Sequence, residues 1–337
     1  MLLFADGLSV SVHSFLQEWF SDKGSIEIQT SGSTGIPKLI SIQKEFMINS
    51  ALATGSFFDL PEKTTALLCL STDYIAGKMM LVRALVLGWE LEVIEPISHP
   101  LKVIDKNYDF TAMVPLQLHN SIENLHKVKK LIIGGGVVSK ELQEKLQHIE
   151  TQVFATYGMT ETVTHIAVKK LNNFVSSSAV ERSYYKVLPN ISISQDKRNC
   201  LVIDAPKIAS EEIITNDVVE NISKNQFKWL GRFDNVINSG GIKLHPEQIE
   251  EKLSTIISQR FFVAGIPDVH LGEKLVLVVE SENLNVENLK SSIQNELKSL
   301  KSLTKYEIPK EIFVVEEFIE TATGKIQRLK TLSKIRS

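Results

Sequence analysis

From about residue 26 to residue 160, short apolar runs alternate with longer stretches whose apolar residues recur at helical spacing, the pattern of a sheet joined by crossover helices. The short runs predict strands at Ala66 to Leu70, Leu91 to Ile94, Thr111 to Val114, Leu131 to Ile133 and Val153 to Ala155. The longer stretches predict helices over Glu45 to Phe57, Lys78 to Leu87 and Lys140 to His148. Between Ser176 and Asn221 the pattern shortens to β-like pieces, with Cys200 to Ile203 and Glu212 to Ile214 the clearest, which reads as a β subdomain. A turn cluster, Asn238-Ser239-Gly240-Gly241, then precedes a helix opened by Pro246 with Glu247 in its first turn. The remainder reads strand (Phe262 to Ala264), strand (Leu275 to Glu280), helix (Val286 to Leu300) and strand (Ile312 to Val315), an α+β unit of about one hundred residues. The expected fold class is α/β, with a large N-terminal domain over 1–231 that includes the β subdomain, and a small α+β domain over 232–337. The length of 337 residues suits that division, because single cores stop growing near roughly 250 to 300 residues.

Composition narrows the partners. Hydrophobic residues make up 43% and charged residues 23%, with no low-complexity tract, so the chain has the means to fold on its own. With 37 basic and 40 acidic residues there is no broad positive field, which argues against a nucleic-acid partner and makes any phosphate binding local. Neither Cys69 nor Cys200 has a neighbour at metal-ligand spacing, and Cys69 within an apolar run reads as a buried small residue. The start, Met1-Leu2-Leu3-Phe4-Ala5-Asp6, has no basic segment followed by a long apolar one, and Arg83 interrupts the most lipid-like stretch, Met79 to Trp89. A cytoplasmic protein without a membrane span is expected; the oligomeric state stays open.

Chemistry concentrates in Thr30-Ser31-Gly32-Ser33-Thr34-Gly35-Ile36-Pro37-Lys38. Its glycines let backbone N–H groups approach an anion, its hydroxyls add donors, and Lys38 adds a compact charge, so the loop suits a polyphosphate. It is not the G-x-x-x-x-G-K-[ST] loop of P-loop NTPases, since Gly35 is followed by Ile36-Pro37-Lys38. Two further motifs fall where strands are predicted to end: Gly134-Gly135-Gly136, and Tyr157-Gly158-Met159-Thr160-Glu161. In open α/β sheets ligands bind beyond the carboxyl ends of strands, so these loops are expected to share one crevice.

Together with Gly231-Arg232-Phe233-Asp234 and Thr323-Gly324-Lys325-Ile326-Gln327-Arg328, these motifs resemble, in order, the signatures of the adenylate-forming superfamily of acyl-CoA synthetases and adenylation domains. Within it the chain looks most like the o-succinylbenzoate-CoA ligases of menaquinone synthesis, through Gly77, Met79 and Arg83, Val114-Pro115-Leu116-Gln117-Leu118, and Asp234-Asn235 followed by Ser239-Gly240-Gly241. The resemblance implies that a carboxylate attacks the α-phosphate of ATP to give an acyl-adenylate, and that the thiol of coenzyme A then displaces AMP. It further implies that Thr30, Ser31, Gly32, Ser33, Thr34, Gly35 and Lys38 hold the β and γ phosphates, and that Glu161 with Thr160 positions Mg²⁺. Gly134, Gly135 and Gly136 would lie against the adenine with Tyr157 stacked on it, while Asp217 and Arg232 would meet the ribose, although Asn216 stands where the family has a glycine. Lys325 would contact the carboxylate and the α-phosphate in the first step, and Asp234 would be the hinge of the small, mobile domain.

Most members carry a whole subdomain before the phosphate loop, so a shortened N-terminal region is expected here. Tyr74 stands where many relatives have a histidine and is expected to line the acyl pocket. A second carboxylate on the substrate needs a cation or several donors. Arg83 and Lys170, next to Lys169, are the candidates. Two alternatives remain open on the sequence: a ligase for another aryl or fatty acid, and an adenylation module that loads a carrier protein.

Overall fold

A computed structural model of the chain describes residues 2–4, 9–29, 39–172, 184–282, 285–321 and 326–336. The phosphate-loop residues Thr30 to Lys38, and Thr323, Gly324 and Lys325 of the last motif, lie outside the described residues. The chain begins with β1 (Leu2–Phe4), α1 (Val10–Trp19) and an antiparallel pair, β2 (Ser25–Gln29) and β3 (Leu39–Gln43). Ser9 caps α1 by accepting from the Val12 N–H, the bond that the first turn of a helix otherwise lacks. There follow α2 (Lys44–Phe58), β4 (Thr65–Leu68), α3 (Ile75–Leu87), β5 (Glu90–Val93), β6 (Tyr108–Met113), α4 (Pro115–Ser121), β7 (Val128–Ile133), α5 (Lys140–Lys145) and β8 (Gln152–Gly158). The helix expected to run to His148 changes at Lys145, and Leu146–His148 tighten into a 3-10 turn.

Strands β1, β5, β4, β6, β7 and β8 lie side by side and parallel. Their alternate side chains feed two cores. On β4, Ala66 and Leu68 join Met47, Met79 and Trp89 on one face, whereas Leu67 joins Leu118, Leu142 and Leu146 on the other. A strand buried on both faces has to be a continuous apolar run, and this is why β4 stood out in the sequence. Helix α3 is enclosed on nearly every side, with Met79 to Ala84 all buried.

After β8 the direction of pairing changes. β9 (His165–Lys170) returns antiparallel to β8, and β10 (Tyr185–Val187), β11 (Ser192–Gln195), β12 (Cys200–Asp204), β13 (Ile213–Ser223) and β14 (Gln226–Arg232) continue in the order β9-β10-β14-β13-β12-β11. The β-rich stretch read from the sequence is thus the antiparallel half of one twelve-stranded sheet. A five-stranded sheet follows: β15 (Ile237–Ser239), β16 (Ile242–Leu244), β17 (Phe261–Asp268), β18 (Gly272–Glu280) and β19 (Glu311–Val315). With it come α6 (Pro246–Leu253), α7 (Val286–Ser299) and α8 (Arg328–Arg336). Val263 and Leu277 face α6 and α7, whereas Phe262 and Val278 face α8. No helix among the described residues is long and apolar enough to cross a membrane.

Candidate active site

The parallel strands β7 and β8 end together, so the loops after them emerge on one edge of the sheet. Gly134, Gly135 and Gly136 follow β7, and Tyr157 and Gly158 close β8. Tyr157 donates from its hydroxyl to Asp217 Oδ2 at 2.7 Å, across 60 residues of sequence. Asp217, on β13, is 7% exposed. Its other oxygen accepts from Trp229 Nε1 at 3.2 Å and lies 3.8 Å from Arg232 Nη1, and its own N–H donates to Thr215 Oγ1. Register explains the meeting, since Asp217 and Arg232 are partners in the β13–β14 ladder. Burial, with the Asp217 carboxylate alongside, pushes the Tyr157 phenol far above its ordinary range, so the hydroxyl stays a donor. Edges of the Tyr157 ring pack against Phe227 and Tyr185 at centroid distances of 5.2 and 5.8 Å.

Asn216, the departure from the glycine expected next to Asp217, has work of its own. Its oxygen accepts from Arg198 Nη1 at 2.8 Å, and its Nδ2 donates to Asp234 Oδ2 at 3.3 Å. Asp234 also accepts from Arg232 Nη2 at 3.4 Å, so Arg232 stands between the buried Asp217 and the turn that carries Asp234. Trp229 and Arg198 were not among the residues singled out in the sequence, and Asn216 stood out there only as a departure from the family's glycine. Trp229 lies three positions before Arg232, so simple alternation would turn it to the other face; the register shift between Val218 and Val219 in the β13–β14 ladder is what lets it reach Asp217, and no sequence signal announced it.

Thr160 and Glu161 form a 3-10 turn directly after β8. Glu161 is exposed and has no ion pair or hydrogen bond among the described residues. One unengaged carboxylate beside a hydroxyl fits magnesium, which is usually held by one or two carboxylates and by the phosphates of its substrate. The turn ends in a tight reversal: Val163 sits at φ 64, ψ −57, and Thr164 N–H donates to Thr162 O at 2.7 Å. A β-branched residue at positive φ is strained, and here the Thr162 hydroxyl, tied to Met159 and Thr164, helps to hold it. Gly158 has to be glycine at this crossing, because a Cβ there would lie 2.2 Å from Thr164 O.

The reversal delivers Thr164 and His165 to Arg83. This guanidinium, 1% exposed on α3, donates over long distances: Nε to Thr54 Oγ1 at 3.4 Å, Nη1 to Met80 Sδ at 3.7 Å, and Nη2 to Thr164 Oγ1 at 3.4 Å and His165 Nδ1 at 3.5 Å. No carboxylate among the described residues pairs with it. Burial lowers it to about 10. Burial and the Arg83 charge hold the His165 imidazole well below its usual range, so the ring is neutral. Since Arg83 can only donate, His165 Nδ1 accepts and its hydrogen sits on Nε2, which is buried without a partner among the described residues. His165 also lines a cavity of about 200 Å³ together with Asn49, Ala53, Leu188, Asn190 and Lys207.

The other candidates lie elsewhere. Tyr74 is 54% exposed at the N-cap of α3, nine residues and hence roughly 14 Å of helix rise from Arg83. Lys170 pairs across from Phe154, at the end of β9 opposite His165, and Lys169 turns its Nζ over the Tyr185 ring at 5.3 Å. The structure therefore brings Arg83, and not Lys170, to the side of the sheet where Thr160 and Glu161 stand.

The fold has counterparts among known proteins. A family model described as AMP-binding enzyme matches residues 26–195. The chain is 38% identical to a solved acyl-CoA synthetase (AMP-forming)/AMP-acid ligase II-like protein from Dyadobacter fermentans, with 96% of this chain and 93% of that one covered and a TM-score of 0.63. It is 24% identical to the 2-succinylbenzoate–CoA ligase of Listeria monocytogenes over 94% of this chain and 71% of that relative. Its fold is also that of the O-succinylbenzoate coenzyme A synthetase of Bacillus subtilis, solved with ATP and magnesium, at 20% identity, 91% and 69% coverage and a TM-score of 0.77.

Proposed function

Because the chain belongs to the AMP-binding enzyme family, we propose that it is an AMP-forming acid–CoA ligase and that its acid is o-succinylbenzoate, which would give it a place in menaquinone synthesis. The observation that carries the choice of acid is Arg83, a buried guanidinium with no carboxylate partner among the described residues, beside the turn that holds Glu161. A cation buried alone is costly, and a second carboxylate on the substrate offsets that cost. Thr164 and the Nε2–H of His165 add neutral donors around the same place, and the cavity beside His165 offers room for the apolar part of an acid.

Thr30, Ser31, Gly32, Ser33, Thr34, Gly35 and Lys38 hold the β and γ phosphates of ATP; Gly134 to Gly136 and Tyr157 flank the adenine; Asp217 and Arg232 meet the ribose. The substrate's first carboxylate attacks the α-phosphorus, the bond to pyrophosphate breaks, and Lys325 balances the charge on the oxygens that change partners. Coenzyme A then attacks the acyl carbon through its sulfur and AMP leaves. Magnesium, when bound, supplies charge neutralisation at the phosphates, with Glu161 and Thr160 as its protein ligands.

Acid-dependent pyrophosphate release measured with o-succinylbenzoate, benzoate, a fatty acid and an amino acid tests the substrate. The expected result is a clear preference for the dicarboxylate; equal rates with benzoate would refute it. Lys325→Ala should stop pyrophosphate release yet leave thioester formation from a supplied acyl-adenylate largely intact.

A further inference from the structure

Glu247 opens α6 behind Pro246 and is the side chain on which two separate parts of the site converge. Its Oε1 accepts from Asn235 Nδ2 at 2.5 Å and lies 3.8 Å from Arg328 Nη2. Its Oε2 is buried with no partner among the described residues and presses on Gly231, where φ is +140 and a Cβ would come within 2.2 Å of that oxygen. Gly231 directly precedes Arg232, the residue between Asp217 and Asp234.

On its other side, Arg328 is clamped. It meets both oxygens of Glu250, at 2.7 and 2.9 Å, and donates to Val263 O at 3.1 Å, while Val263 N–H donates to Glu250. Upstream of it, Glu320 and Ile326 form an antiparallel bridge, and Gln327 N–H donates to Ile319 O at 2.7 Å. Both ends of the segment containing Lys325 are thereby anchored, and Lys325 is the immediate neighbour of one anchored residue.

A carboxylate oxygen kept buried and unpaired works against stability, so its retention between two functional segments needs a reason. We propose that Glu247 is a positioning residue that ties the Gly231–Asn235 turn, where the ribose-side Arg232 sits, to the Arg328 anchor of the Lys325 segment. It would fix the reach of the lysine relative to the nucleotide without touching either reactant. The inference rests on the reading of Lys325 given above and names the residue that sets its place.

The test uses the full chain and two separate assays: acid-dependent pyrophosphate release, and thioester formation from supplied acyl-adenylate and coenzyme A. Glu247→Gln keeps the shape but weakens its attraction to Arg328; it should lower kcat for pyrophosphate release by about 10- to 100-fold, the scale of a misplaced catalytic group. The KM for the acid, thioester formation and the melting temperature should stay close to those of the parent. Asn235→Ala removes one tie to the carboxylate while leaving its charge in place and should show the same split more weakly, which keeps the idea testable if Glu247→Gln folds poorly. An equal fall in both half-reactions with a lower melting temperature would leave Glu247 a structural role only and overturn the proposal, as would unchanged pyrophosphate release. If Lys325→Ala itself retains pyrophosphate release, the reading of the lysine fails first; if Lys325→Ala stops release and Glu247→Gln does not, only the inference about Glu247 fails.

Discussion

Arg83→Met removes a charge while keeping much of the side chain's length, in a place where the neighbours include Met80 and Thr54. Burial lowers the guanidinium from 12.5 to about 10. At about 1.4 kcal/mol for each tenfold change in proton affinity, holding the charge there costs the folded protein about 3 kcal/mol. The side chain is 1% exposed, so solvent screening offers little relief. Methionine relieves that cost and gives up only long hydrogen bonds, so the ligand-free variant should melt a few degrees higher than the parent. Activity should move the other way. Losing one partner of a buried charge pair is typically worth about 2–5 kcal/mol, so kcat/KM for o-succinylbenzoate should fall by roughly 30- to 1,000-fold or more, while that for benzoate stays near its parental value. The checks are a thermal melt without ligands and pyrophosphate release with each acid. Saturating o-succinylbenzoate should raise the melting temperature of the parent but not of the variant. A variant that melts lower and keeps its preference for the dicarboxylate would show that Arg83 is a structural residue whose environment has been misjudged.

Further outcomes follow from other parts of the site. Tyr157→Phe deletes the donor to Asp217 Oδ2 and should weaken ATP binding by about 10- to 100-fold, near the worth of one hydrogen bond to a charged group, with the KM for the acid unmoved in a steady-state titration. Burial pushes the Cys69 thiol up to about 12. Because its native pKa lies above the unfolded one, the contribution of Cys69 to stability is full below about pH 9 and lost as pH rises towards 12. At pH 8 mass spectrometry should therefore find Cys69 unmodified by iodoacetamide in the native protein and modified in urea.

The parallel half of the sheet was legible because its strands are buried on both faces. Their apolar runs stand out between helices such as α2, whose buried Met47, Ala51, Thr54 and Phe58 follow helical spacing. Helix α1 was not legible: Val10-Ser11-Val12-His13 alternates like a strand, and the Ser9 cap outweighs that alternation. Strand β9 was missed because the reversal before it turns on Val163 at positive φ, where no Gly, Asn or Pro announces a turn. That same reversal decides the fate of the basic candidates. By sequence distance Lys169 and Lys170 are near Glu161, but β9 runs back along β8 and carries them to its far end, whereas Arg83 arrives from a helix some eighty positions away in sequence from Thr164. Arg83 could be named from its residue type; its lack of a counter-ion is a property of the packed fold. The motif glycines were legible for a plainer reason, since close approach at Gly158 and Gly231 leaves no space for any other residue.

The seam between β8 and β9, where the twelve-stranded sheet changes from parallel to antiparallel, has a consequence for how the protein is made. Tyr157 leaves the ribosome 60 residues ahead of Asp217, a lag of roughly 3–12 s at synthesis rates of about 5–20 residues per second. From its own emergence until Arg232 has followed, β10 has an open edge, because its outer partner β14 is the last strand of the sheet to be synthesised. The parallel half can pack early, but the Asp217 carboxylate and Tyr157 meet only when residues 213–232 have been threaded into place. Under the proposed assignment of Asp217 to the ribose, a nascent chain would hold no nucleotide until the whole sheet exists, and ATP, once bound, would act as a rivet across its youngest joint.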